Sequence, residues 1–251
     1  MNPISGLKNS IAFLTIIPVG MDPDGFVQAA AYMPLFPIIG AIIGLVAGFA
    51  TWLIQLILPQ LIAAIVGMGL LLLLNGAQHM DGLLDFADGL MYHGSKRGKL
   101  RVMQDPTTGA GGVALGSIIL LLTVFSIAAL PPASIISGLA VAEASAIFGM
   151  VLAASAGKSA HKGMNTLFIE RMHDRRSLRL GTSCVIALAI ASLGFGIFGL
   201  IVVIGASFTA LVMVAVADRA FGGLTGDVLG ATNEIARASV LLLLLVFLKW
   251  A

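Results

Sequence analysis

Charged residues are scarce in this sequence. Lysine, arginine, aspartate and glutamate together make up 10% of its 251 residues, whereas a soluble domain carries about 25%. Apolar residues make up 59%. This composition excludes an ordinary soluble globular protein and is typical of an integral membrane protein. The net charge of +2 is too small to indicate binding to nucleic acid.

Cysteine and histidine are also rare. The only cysteine, Cys184, excludes an internal disulfide and a cysteine-rich metal site. The chain has four histidines, and only His79 and His93 lie near a group of acidic residues, so we do not expect a zinc site. Any metal site in this chain must therefore be built mainly from carboxylates.

Long hydrophobic runs dominate what is present. A membrane-spanning helix needs roughly 20 apolar residues, and seven stretches reach or approach that length: 36–57, 60–79, 112–130, 134–154, 182–199, 201–217 and 238–250. We predict an all-α fold, a polytopic membrane helix bundle of about seven transmembrane helices in which residues 1–251 form a single integral membrane domain. The apolar segment 4–19 is too short to span and predicts an interfacial or re-entrant helix. The four-residue spacing of Gly40, Gly44 and Gly48 favours close helix packing, either within the chain or in a homo-oligomer.

The connectors between these stretches indicate the topology. The long connectors are 80–111, 155–181 and 218–237, and because short turns separate them, all three fall on one side of the membrane. They carry most of the cations: Lys96, Arg97, Lys99, Arg101, Lys158, Lys162, Arg171, Arg175, Arg176, Arg179, Arg219 and Arg237. By the positive-inside rule this side is cytoplasmic. We expect a multi-pass protein of the cell membrane, with its active site facing the cytoplasm.

Three aspartates follow the second apolar stretch. Asp81, Asp85 and Asp88 are offset by four and three residues, which places them on one face of a helix. Like charges at that spacing repel, and at a membrane boundary each also loses hydration. Carboxylate oxygens without cysteine partners favour Mg²⁺ or Mn²⁺. We predict a magnesium site here, to which Asp227 adds a ligand; the alternative is a solvated helix end.

Two glycine-rich segments lie on the same predicted side. One runs from Met103 to Gly112 and includes Asp105, Thr107, Thr108 and Gly109; the other, 222–227, includes Thr225, Gly226 and Asp227. Glycine-rich backbone at a helix N-terminus can donate N–H groups to phosphate. The two segments together predict a shared polyphosphate pocket, although flexible loops would also explain them.

At these residues the chain resembles the cobalamin-5′-phosphate synthase (adenosylcobinamide-GDP ribazoletransferase) family. Residues 79–89 match the pattern His-x-Asp-Gly-Leu-x-Asp-x-x-Asp-Gly, and residues 103–112 match Met-x-Asp-x-x-x-Gly-x-x-Gly. Residues 222–231 match Gly-Gly-x-Thr-Gly-Asp-x-x-Gly-Ala. The chain departs from the pattern in two places. Arg237 stands where some members carry an acid, and Glu143 lies in the fourth span, where bacterial members tend to have an arginine.

The resemblance implies the last assembly step of the corrinoid coenzyme. Adenosylcobinamide-GDP transfers its cobinamide phosphate to a hydroxyl of α-ribazole or its 5′-phosphate and releases GMP. From spacing and family pattern together we expect Asp81, Asp85 and Asp88 to hold Mg²⁺ on the pyrophosphate, with Asp88 or Asp105 accepting the hydroxyl proton. The expected substrate-binding residues are His79, Gly82, Gly89, Gly109, Gly112, Thr225 and Gly226.

Two other activities have to be considered. CDP-alcohol phosphotransferases also carry aspartates on a cytosolic helix end, in a pattern of Asp-Gly-x-x-Ala-Arg, but here Asp85 and Phe86 stand in place of the Ala and Arg. A cation-coupled transporter could use acids as an ion site, yet transporters place such sites near the membrane midplane and often show an inverted repeat. Neither pattern is visible in this sequence.

Overall fold

The fold is all-α, as predicted. A computed structural model describes residues 3–250, and these form twelve α-helices without a β-strand. The helices are α1 (Pro3–Leu14), α2 (Gly25–Tyr32), α3 (Phe36–Gln55), α4 (Gln60–Leu74), α5 (Gln78–Met91), α6 (Lys96–Met103), α7 (Ala110–Ala129), α8 (Ile135–Ala156), α9 (Met164–His173), α10 (Arg176–Phe195), α11 (Ile197–Ala220) and α12 (Gly226–Trp250). Short 3₁₀ turns precede α3 and α8.

The number of apolar helices agrees with a polytopic membrane protein. Within residues 3–250, six helical stretches are long and apolar enough to cross a membrane. They comprise α2 with α3, and α8 with its preceding turn, together with α7, α10, α11 and α12. Helices α4 and α5 would make a seventh only as a pair, and they are bent by 91° relative to each other. The predicted count of about seven is therefore confirmed.

The bend between α4 and α5 corrects the predicted span 60–79. Helix α4 ends at Leu74, and Gly76 and Ala77 then take positive φ angles of 61° and 55°. This left-handed backbone stops the helix and turns the chain, and Gly76 adopts it without a steric penalty. Helix α5 consequently leaves the span and lies across the first turns of α7 and α12.

The last span begins much earlier than predicted. The sequence predicts a helix over 238–250 after a connector at 218–237, but α12 starts at Gly226 and the loop before it covers only residues 221–225. Hydropathy fails here because Glu234 and Arg237 interrupt the apolar pattern. Both side chains are buried, with 1% and 0% exposure, and they pair with each other.

Helix α8 forms the centre of the bundle and is buried along most of its length. Gly40 and Gly48 of α3 lie against it: a Cβ at either position would come within 2.9 Å of the α8 backbone, at Glu143 or Ile136. Close packing of these glycines was expected either within the chain or in a homo-oligomer, and the structure shows packing within the chain.

The N-terminal helix does not span. Helix α1 has 12 residues, which is about 18 Å of helix against a hydrocarbon core of about 30 Å. It is fixed to the following loop by Asp22, which accepts hydrogen bonds from Lys8 Nζ at 2.5 Å and Asn9 Nδ2 at 2.8 Å. Its Phe13 ring stacks on Phe168 of α9, which places α1 beside the connectors.

Candidate functional site

The three aspartates of α5 occupy its accessible face. Gly82, Phe86 and Ala87 are buried, whereas Asp81 is exposed and Asp85 is partly exposed. Partial burial, together with the negative charges of Asp81, Asp227 and Asp88, raises the pKa of Asp85 to about 6. The predicted cluster of mutually repelling carboxylates is therefore present, with Asp85 at its centre.

Asp227 joins this cluster from the other half of the bundle. It lies in the first turn of α12, where Thr225 Oγ1 donates to its Oδ2 at 3.2 Å. The contact between the helices depends on Gly82, because a Cβ there would lie 2.9 Å from Asp227 Cα. The predicted addition of Asp227 to the acidic group is thus supported by the packing of α5 on α12.

Asp88 has a second role that the sequence did not indicate. Its Oδ2 accepts the Gly109 N–H at 2.7 Å, and its Oδ1 accepts the Gly112 N–H at 2.8 Å. A carboxylate at a helix N-terminus satisfies orphan amides and interacts favourably with the helix dipole. We expected the amides of Gly109 and Gly112 to contact phosphate, but in this structure both donate to the Asp88 carboxylate.

Asp105 lies apart from Asp81 and Asp85. Its Oδ1 accepts hydrogen bonds from the Thr107 amide at 2.9 Å and the Thr107 hydroxyl at 2.5 Å, and these bonds lower the pKa of Asp105. It shares a cavity of about 330 Å³ with Asp88 and Gly109. The structure therefore brings Asp105 near Asp88 alone among the three α5 aspartates.

Gly89 packs helices and does not face the acidic cluster. A Cβ at Gly89 would lie 3.2 Å from Lys99 O and would overlap the Met103 side chain, both on α6. The Lys99 ammonium also donates to Leu90 O at 2.6 Å, at the end of α5. The predicted substrate contact at Gly89 is therefore replaced by close contact between α5 and α6.

Three further predicted substrate-binding residues, His79, Thr225 and Gly226, line a cavity of about 360 Å³, together with the predicted metal ligand Asp227. Gly82, also predicted to bind substrate, instead packs α5 against α12. Burial lowers the pKa of His79 to about 4, so its ring is neutral at pH 7. The remainder of the wall was missed in the sequence: Phe13, Leu14, Met33, Phe36, Gln78, Gln104, Met150, His161, Gly163, Met164, Asn165, Phe168, Leu229 and Gly230. These residues come from distant parts of the chain, so no local spacing signals their convergence.

The donors suit Mg²⁺ in chemistry but do not form a closed cage. Within residues 3–250, no group of three or more His, Cys, Asp or Glu side chains is close enough to hold a metal ion. Mg²⁺ is commonly bound by one or two carboxylates together with waters and substrate phosphates. The acidic cluster fits such an open site, in which a polyphosphate supplies the remaining ligands.

A buried ionic network lies behind the cavity. Arg237 Nε donates to Glu143 Oε1, Arg237 Nη1 donates to Glu234 Oε2 at 2.5 Å, and Nη2 donates to Asn233 Oδ1 at 3.0 Å. Glu143 and Arg237 have 0% exposure. The two departures from the family pattern thus meet in one ion pair between α8 and α12, a partnership that the sequence alone did not reveal.

Comparison with known proteins identifies the family. The cobalamin-5-phosphate synthase family profile matches residues 6–245. Curated relatives named adenosylcobinamide-GDP ribazoletransferase include one from Methanocella arvoryzae, 36% identical over 96% of this chain and 95% of the relative. Another, from Methanosarcina mazei, is 32% identical over 96% of this chain and 92% of its own length. A third, from Thermococcus kodakarensis, is 33% identical over 95% of this chain and 97% of its own length. No solved structure matches the chain significantly.

These matches cover nearly the whole chain and include all three motifs of the acidic cluster and its glycine-rich neighbours. The resemblance seen in the sequence is confirmed: the chain belongs to the cobalamin-5-phosphate synthase family.

Proposed function

We propose that this protein joins adenosylcobinamide-GDP to α-ribazole or its 5′-phosphate and releases GMP. A ribose hydroxyl oxygen forms a bond to the cobinamide-linked phosphorus, the bond from that phosphorus to the bridging oxygen breaks, and GMP leaves with the bridging oxygen. The relatives' names support this reaction over phospholipid synthesis and over transport. The observation that carries the proposal is the group of Asp81, Asp85, Asp88 and Asp227 at one end of an apolar bundle.

We further propose that Asp81, Asp85 and Asp227 hold Mg²⁺ together with the pyrophosphate of the substrate. Their mutual repulsion in the absence of a cation supports this assignment. Bound Mg²⁺ would neutralise charge that develops on the transferred and leaving phosphate oxygens. The carboxylates themselves fix where the pyrophosphate lies relative to the cavity beside Asp227.

Asp88 is the better of the two expected proton acceptors. The negative charge of Asp88 helps to raise the pKa of Asp85, whereas Asp105 has no such effect, so Asp88 is the one that belongs to the acidic cluster. The amides of Gly109 and Gly112 hold the Asp88 carboxylate in place, and a carboxylate offers about four acceptor sites, so two remain for a substrate hydroxyl. We assign Asp88 to proton acceptance and to positioning of α7.

The proposed active site faces the cytoplasm of the cell. The end of the bundle that carries α5 also carries α6 and the connector before α10, which are rich in lysine and arginine. A chain with Cys184→Ala as background permits single-cysteine labelling in intact cells. Lys162→Cys should resist a membrane-impermeant maleimide, while Leu58→Cys should react with it. Labelling of Lys162→Cys but not of Leu58→Cys would show that the site faces the outside of the cell.

Substrate discrimination tests the activity. The detergent-purified protein should release GMP when supplied with adenosylcobinamide-GDP, α-ribazole and Mg²⁺, and should form a cobalamin product in equal amount. CDP-diacylglycerol with glycerol phosphate should release no CMP. Release of CMP without GMP would instead establish the phospholipid reaction, and substrate-dependent ion flux without GMP would establish transport.

A further inference from the structure

We infer that the cavity of about 360 Å³ beside Asp227 binds the acceptor nucleoside, with its aromatic base against the phenylalanines of α1 and α9. The inference rests on the proposed function and assigns a place to one of its two substrates.

The inner wall of the cavity is aromatic and preformed. Phe13 stacks on Phe168 with ring centroids 4.6 Å apart, and Phe36 lies 6.0 Å from Phe13. Phe13 is half-buried and Phe168 is 3% exposed, so these two rings can contact a ligand, and the fully buried Phe36 packs behind them. Aromatic pairs at such distances are a favourable surface for another flat ring.

A polar part of the wall, at Asn165, is also fixed before any ligand binds. Asn165 Nδ2 donates to Leu224 O at 2.9 Å and to Ser159 Oγ at 3.0 Å, which joins α9 to the loop before α12. The backbone of Leu224 pairs with Lys158 and Ala160 in the same place, at 2.7 and 2.9 Å. A preformed pocket loses little conformational entropy when it binds a ligand.

The size and polarity of the cavity indicate which part of the two substrates it binds. The corrin macrocycle is too bulky for about 360 Å³, near the lower end of the roughly 300–1,000 Å³ typical of small-molecule pockets. Guanine carries several donors and acceptors, and the phenylalanine and methionine side of this cavity offers them no hydrogen-bond partners. The benzimidazole base of α-ribazole is flat and largely apolar, so it matches this wall.

The cavity opens toward the reacting groups. Thr225 and Asp227 are in its wall, and Asp227 is also part of the acidic cluster. A nucleoside whose base lies against Phe168 therefore has its ribose on the side where the pyrophosphate is held. This arrangement places a ribose hydroxyl next to the phosphorus that it must attack.

A second cavity, of about 600 Å³, adjoins the first and shares Gln104 and His161 with it. Arg97 and Arg101 line it, four residues apart on one face of α6. Neither arginine forms an ion pair within the described part of the chain. We infer that these guanidinium groups bind the 5′-phosphate when the acceptor carries one.

Binding of α-ribazole alone tests the first cavity. Equilibrium dialysis with EDTA-treated protein, without the corrinoid substrate, should show α-ribazole binding that Phe168→Leu weakens about three- to tenfold. The half-buried Phe13→Leu should have the same effect and serves if Phe168→Leu does not fold. Phe208→Leu, on the exposed surface of α11, is the matched control and should bind normally.

Kinetics test the second cavity and separate the two proposals. Arg101→Gln should raise the KM for α-ribazole 5′-phosphate about tenfold and leave the KM for α-ribazole within twofold, whereas Arg171→Gln should change neither.

The outcomes also separate the inference from the proposed function. If the wild-type protein releases GMP but Phe13→Leu and Phe168→Leu bind α-ribazole as tightly as wild type, the inference is overturned and the proposed function stands. Weakened binding of GDP in those variants would assign the cavity to guanine and overturn it too. A folded wild-type protein that binds α-ribazole but releases no GMP would refute the proposed function alone.

Discussion

At the scale of single residues, the acidic cluster combines two kinds of carboxylate. Asp81, Asp85 and Asp227 form no ion pair within the described residues, and burial together with the repulsion among them raises the pKa of Asp85. Asp88 instead accepts the backbone N–H groups of Gly109 and Gly112 at the N-terminus of α7. This difference separates residues suited to binding a cation from one that is held in place by the protein itself.

The proposed roles of Asp88 and Asp105 differ in a measurable way. Asp88→Asn should lower kcat about 10²- to 10⁴-fold, because it removes the proton acceptor while an amide oxygen can still accept one backbone N–H. Asp105→Asn should lower kcat less than tenfold. Steady-state GMP release measures both. Equal losses in the two variants, or a larger loss in Asp105→Asn, would reverse the assignment.

Gly82 should be intolerant of even one methyl group. Gly82→Ala forces a shift between α5 and Asp227 Cα, because the new Cβ would lie 2.9 Å away. We expect an activity loss of about ten- to a hundredfold with the fold retained, since small misplacements of reacting groups have large effects. The matched control is Gly69→Ala in α4, where no described atom lies within 4 Å of the new Cβ. Its activity should be unchanged, and normal activity of Gly82→Ala would contradict the close contact.

Asp22 should stabilise the N-terminal segment in a pH-dependent manner. Hydrogen bonds from Lys8, Ser5 and Asn9 hold the pKa of Asp22 well below its ordinary value of 3.8. A carboxyl whose folded pKa is lowered stabilises the fold above the unfolded pKa and loses that contribution as the pH falls through the folded one. Asp22→Asn should therefore melt at a lower temperature than wild type at pH 7, and the difference should shrink as the pH falls below about 3.8. A difference that is constant with pH would contradict this interpretation.

At the scale of helices, apolar runs were predictable and charged helix turns were not. The sequence found α3, α7 and α8 because a membrane interior requires long uninterrupted apolar stretches. It missed the first three turns of α12 because Glu234 and Arg237 are neutralised by partners that lie far away or on the same helix. The 91° bend before α5 also depends on two left-handed residues whose conformation hydropathy does not report.

The stability that the ion pair between α8 and α12 provides should depend on the pair's net charge more than on which helix carries the acid. Glu143→Ala leaves Arg237 with an incomplete set of buried partners and should destabilise the fold by about 3–5 kcal/mol. The double exchange, Glu143→Arg with Arg237→Glu, should recover stability relative to either single charge reversal. Thermal unfolding in detergent measures all four proteins. A double variant no more stable than the singles would show that the polarity of the pair is fixed by its surroundings.

At the scale of the whole molecule, the candidate site lies at one end of an apolar bundle. The acidic cluster, the two cavities and the basic helix α6 lie together where α5 crosses the ends of α7 and α12. The three motifs of the sequence predicted this meeting of acids and glycines. The aromatic cavity beside them could not be predicted, because Phe13, Phe36 and Phe168 belong to helices that are brought together only by the fold.

Metal-dependent GMP release is the most direct test of the central claim. The purified protein is stripped with EDTA, and GMP and cobalamin product are measured while Mg²⁺ is titrated back, for wild type and for Asp85→Asn. We expect no GMP without Mg²⁺, restored release as it is added, and a loss of about a hundredfold or more in Asp85→Asn. GMP release by the metal-free protein, or near-normal turnover by Asp85→Asn, would contradict the claim that these aspartates hold Mg²⁺ on the substrate.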